Sequence, residues 1–169
     1  VISSVYINQV ESDVKYILSL AFILMAFKPY AAEIFPRGCK PLVVKDELLT
    51  LVAEQPTLVM VHNISTTDLW MTHPVSHHSA NAGWTTQLQS GQWSALVYNE
   101  KTFDLSCIES RPGHEQQVPC AGLLAACEWS NFAMPKTESG NFWVGENLTL
   151  TALMAHVGSR GYILPVPAQ

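Results

Sequence analysis

Histidine is the residue type here most able to do chemistry. His73, His77 and His78 fall within six positions, in a stretch (HPVSHHSANAG, residues 73–83) whose proline, glycine and small polar content reads as loop. Neutral imidazoles bind zinc or copper, so three close together define a candidate metal site. His62 joins it if its strand ends beside that loop. Hydrolysis is a second possibility on paper. Ser79, Ser90 and Ser94 are available hydroxyls, and Asp68 with His73 would supply an acid–base pair. None of the serines sits in a G-x-S-x-G elbow, and nothing in the sequence fixes the separation of Asp68 from His73. The reading is therefore of a chain without a catalytic set and without a cofactor.

The other groups with chemical meaning are sulfur and indole. Four cysteines, Cys39, Cys107, Cys120 and Cys127, are an even number, and in an exported domain that reads as two disulfides with three possible connectivities. A structural zinc site is the rival, but no C-x-x-C pair is present. Among five tryptophans, Trp93 alternates with apolar neighbours and is expected in the core. Trp84, at a loop exit, and Trp70 are the candidates for a binding surface, because exposed indole favours sugar or protein contacts.

Export is expected from residues 16–27 (YILSLAFILMAF), an uncharged apolar run too short to cross a bilayer as a helix but suited to the core of a secretory signal. Lys15 precedes it and Ala31-Ala32 follow, so residues 1–32 read as the signal region and residues 33–169 as one domain. Glu11 and Asp13 make the preceding segment acidic, which is wrong for a signal; residues 1–13 therefore read as an upstream extension, with Val14 the natural start. Cleavage after Ala32 leaves 7 basic and 12 acidic residues and no basic cluster, which argues against nucleic acid as a partner. A peripheral association with the membrane stays open. Asn63-Ile64-Ser65 and Asn147-Leu148-Thr149 match the N-glycosylation pattern, but the signal looks bacterial and they are discounted.

Short strands must position these groups. In Thr102–Cys107, Phe103, Leu105 and Cys107 alternate with polar residues, the period of a half-buried strand. Thr57–Ser65 is apolar on both faces, Leu58, Met60, His62 and Ile64 against Val59 and Val61, which predicts burial between two layers. Asp46–Ala53 is either a helix or a strand. Asp68–Thr72 reads as a strand, and Thr85–Gln89 and Gln92–Tyr98 as a hairpin about Ser90-Gly91. Asn141–Val144 is a short aromatic strand. Asn147 or Thr149 caps a helix carrying Leu150, Leu153, Met154 and Val157 on one face, and Tyr162–Leu164 makes a last strand. The fold class is mainly β: a small disulfide-bonded β-sandwich with one C-terminal helix on an end or edge.

Several pieces together resemble the small enhanced-entry proteins (EnhB type) of Legionella-like bacteria: FPRGC at Phe35–Cys39, CIES at Cys107, the six-residue gap between Cys120 and Cys127, GNFWV at Gly140–Val144 and RGYIL at Arg160–Leu164. The resemblance does not extend to the histidine loop. It implies an exported envelope protein associated with host-cell entry, with an envelope or host protein as partner and no implied reaction. Under it the four cysteines are the shared framework, and the pairing taken with it is Cys107–Cys120 across the Pro112-Gly113 turn and Cys39–Cys127 tying down the N-terminal segment. The alternative is a small periplasmic metal-binding protein using His73, His77 and His78.

Overall fold

A computed structural model describes residues 35–73, 84–136 and 140–165. The expected signal region, His77, His78 and Ser79 lie outside them. Among the described residues, ten strands and one helix follow in order: β1 (Lys40–Leu42), β2 (Leu48–Val52), β3 (Thr57–Asn63), β4 (Leu69–His73), β5 (Trp84–Leu88), β6 (Trp93–Tyr98), β7 (Thr102–Glu109), β8 (Gln116–Val118), β9 (Leu124–Trp129), β10 (Phe142–Leu148) and α1 (Leu150–Ser159). They form two antiparallel sheets. One has the order β1-β9-β3-β6-β10; the other runs β2-β7-β4-β5, with β8 pairing β7 beyond the end of β2.

Strand alternation explains the layering. Val59, Val61, Leu96, Tyr98, Leu124 and Ala126 from the first sheet share one buried cluster with Leu49, Leu51, Leu69, Met71, Leu88, Phe103, Leu105 and Cys107 from the second. This is the core between the sheets. The intervening residues of the first sheet, Leu58, Met60, Trp93, Ala95, Val97, Cys127 and Trp129, form a second cluster on its other face, closed by Leu153 and Val157 of α1 and by Tyr162. The central strand β3 is thus apolar on both sides because both sides are covered. Of the two readings of Asp46–Ala53 the strand is the one formed, as β2 over Leu48–Val52.

The helix keeps its expected place, and two other local expectations are corrected. It packs on the outer face of the first sheet over the edge strand β10 and the neighbouring β6. The Ser90-Gly91 turn is present, with Gln92 N–H donating to the Gln89 carbonyl (3.0 Å), but it joins different sheets: β5 pairs β4, and β6 pairs β3 and β10. Gly91 (φ 74°) is the sole turn residue with positive φ, and it stands second in the turn. Two-residue hairpins need positive φ at the first central position, so this geometry splays the strands instead of pairing them. The expected last strand at Tyr162–Leu164 reduces to a bridge between Ile163 and Ala133.

The cysteines join as Cys39–Cys127 and Cys107–Cys120, each with Cα atoms 5.4 Å apart. The first crosses 88 residues and the second 13. On loop-closure entropy alone, those lengths correspond to about 4–5 and about 3 kcal/mol. No helix among the described residues is long and apolar enough to cross a membrane.

Candidate functional site

The two sheets differ in what covers them. The outer face of the first is roofed by α1; among the described elements, none packs on the outer face of the second. Leu69 and Met71 point into the core, so Trp70 and Thr72 between them point out. Trp70 pairs directly with Ile108 on β7 and with Gln87 on β5, and Ile108 pairs with Gln117 on β8. Gln117, Ile108, Trp70 and Gln87 therefore stand in one cross-strand row on the open face, with Ile108, Trp70 and Gln87 half-buried and Gln117 exposed.

The next outward row is Leu48, Ser106, Thr72 and Thr85. Ser106 Oγ donates to the Thr72 carbonyl (3.0 Å), and the Thr72 and Thr85 hydroxyls lie 3.2 Å apart. Beyond them Thr50 Oγ1 donates to Asp104 Oδ1 (2.7 Å), and Val52 stands opposite Thr102. Trp84 opens β5 opposite His73, three positions before Gln87, so the two tryptophans expected on a binding surface do not share a row.

His73 ends β4 rather than belonging to a loop. Its Nδ1 lies 2.7 Å from the Asp104 carbonyl oxygen, and its ring stacks on Phe103 with centroids 4.2 Å apart. His62 stacks on Trp93 (4.3 Å) at the far end of the preceding strand, on the outer side of the other sheet, so the structure does not bring it to His73. Among the described residues, no three metal-binding side chains cluster.

The acid–base pairing of Asp68 with His73 is also absent. The two lie at opposite ends of β4, about 17 Å apart at the rise of an extended strand. Asp68 Oδ1 accepts from Ser90 N–H (3.0 Å), Ser90 Oγ donates to the Ser65 carbonyl (2.6 Å), and the buried Ser94 hydroxyl accepts from Asn147 N–H (2.9 Å). These groups hold turns together. Asn63 does so too: fully buried, it donates to the Thr67 and Leu88 carbonyls and accepts from Ser65 N–H and Oγ, which leaves its sequon with no amide for modification.

A polar cleft of about 340 Å³ opens at one end of the sandwich, with Glu54, Thr57 and Glu128 in its lining. Tyr98, paired with Thr57 across β3 and β6, is fully buried and its hydroxyl has no hydrogen bond of good geometry, while the Thr57 hydroxyl donates to the Gln55 carbonyl (3.0 Å). Burial first, and the Glu128 carboxylate second, push the Tyr98 pKa up to about 12 against a smaller lowering by Thr57. Sequence reading found none of this, since Tyr98, Glu128 and Thr57 come from three strands.

No family model, curated protein or solved structure matches this chain in the comparisons made.

Proposed function

We propose that this chain is an exported protein, periplasmic or secreted, that works without catalysis by binding a component of the envelope or of a host cell, as its resemblance to the enhanced-entry proteins implies. Its binding surface is the open face of the second sheet. The observation that carries this is the row Gln117–Ile108–Trp70–Gln87: a half-buried indole and an isoleucine displayed side by side on a face left open by the described elements. A large aromatic with an apolar neighbour, ringed by hydrogen-bonding groups, is the usual anatomy of a recognition patch. The two disulfides fit the oxidising compartment that export reaches. A photo-crosslinking residue at Gln87 tests it in intact cells. A discrete adduct from that position, and none from Thr151 on the exposed side of α1, is the expected result. Equal labelling from both positions overturns it.

A second reading is favoured by His73. A ring held by a carbonyl at Nδ1 matches the way imidazoles are oriented for metal binding through the other nitrogen. On that reading His73, with His77 and His78 from the adjoining segment, takes up zinc. Saturable uptake by the chelator-treated protein supports it, and none closes it.

A further inference from the structure

Resting on the reading of the open face as the binding surface, we infer that its ligand is a neutral polysaccharide chain of the cell envelope. Three observations converge. The first is chemistry. Trp70 and Ile108 offer an apolar strip to the C–H face of a sugar ring. Gln87 and Gln117 stand at its two ends. A side-chain amide both donates and accepts, as a pair of neighbouring sugar hydroxyls does. Thr72, Thr85 and Ser106 add hydroxyls along the next row.

The second is charge. The chain carries a net charge of −5, yet the rows of this face hold one ionisable side chain, Asp104, already hydrogen-bonded by Thr50. Among the described residues these rows carry no cation to meet phosphate, so nucleic acid and anionic headgroups are poorly matched. An uncharged polyol is well matched.

The third is size. Three strand spacings across and six residues along, from Ile108 to Thr102, give a platform of about 14 by 20 Å, or roughly 280 Å². A stable protein interface needs about 800 Å² from each partner. A single sheet face supplies no walls of its own to enclose a small molecule. A short run of sugars laid across the strands fits both limits.

Binding of soluble glucan, mannan and galactan hexasaccharides to the full chain, followed by NMR at the tryptophan indoles, tests this, with oligogalacturonate as the acidic control. At least one neutral chain should bind saturably, with a Kd on the order of 1 mM or tighter. Added salt should leave that affinity unchanged. Trp70→Ala should weaken it at least about tenfold, and Gln87→Ala and Gln117→Ala should each weaken it while leaving the melting temperature in place. No binding by any neutral chain overturns the inference, as does preference for the acidic control or unaltered binding by all three variants. If Gln87 nonetheless crosslinks to a protein, the glycan assignment falls and the binding face stands. If neither occurs, both fall.

Discussion

A methyl group placed on Gly145 would lie 2.6 Å from Leu153 Cδ1, closer than packed carbons approach. Strand β10 and helix α1 therefore meet through a residue with no side chain, and that contact seats the helix on the sheet. His156 and Arg160 secure the same place, the ring Nε2 and the guanidinium Nη1 each 3.0 Å from the Val144 carbonyl oxygen. Gly145→Ala should destabilise the protein by about 1–3 kcal/mol through overpacking. Amide exchange should speed up most in α1, and chemical denaturation with hydrogen exchange checks both.

Asn63 fixes the turn between β3 and β4 from inside the protein. Asn63→Ala strips partners from two carbonyls and from Ser65, and should cost about 2–3 kcal/mol. Asn63→Asp should cost more, because it sets a carboxylate against the carbonyls of Thr67 and Leu88. Urea midpoints of the two variants test the order.

Tyr98 sets an alkaline limit. Its folded pKa, about 12, exceeds the ordinary tyrosine value of 10.0, so the folded state holds its proton more tightly than the unfolded chain does. The stability it contributes is complete below pH 10.0 and is lost as pH rises towards about 12. Tyr98→Phe should flatten that decline. At neutral pH it should leave stability level or slightly higher, since the removed hydroxyl has no good partner. Denaturation of both proteins across the alkaline range gives the comparison.

The roles of Gly145, Asn63 and Tyr98 are not readable in the sequence, because each depends on side chains or carbonyls brought in from other elements. Local periodicity reported β3, the inward face of Phe103, Leu105 and Cys107, and the buried Trp93, because each needs only its neighbours in the chain. Of the two possible caps, Thr149 closes the helix by accepting from Ala152 N–H, and Asn147 (φ 53°) instead accepts from Gln89 N–H. Sequence pattern could not choose between them, since the choice depends on β5. The hairpin expectation failed for a similar reason: Ser-Gly marks a turn, but the sign of φ at each position decides whether strands pair. Trp70 was legible as a candidate; the row it belongs to was not, because Gln87, Ile108 and Gln117 reach it from three other strands.

All of this rests on a sheet core held by two sulfur bridges in a compartment that lets them form. Thiol titration of the protein taken directly from cells, followed by peptide mapping without reductant, tests that most directly. The prediction is no free thiol before reduction and two linked peptide pairs, Cys39 with Cys127 and Cys107 with Cys120. Four free thiols in folded native protein, or a peptide joining Cys120 to Cys127, would contradict it.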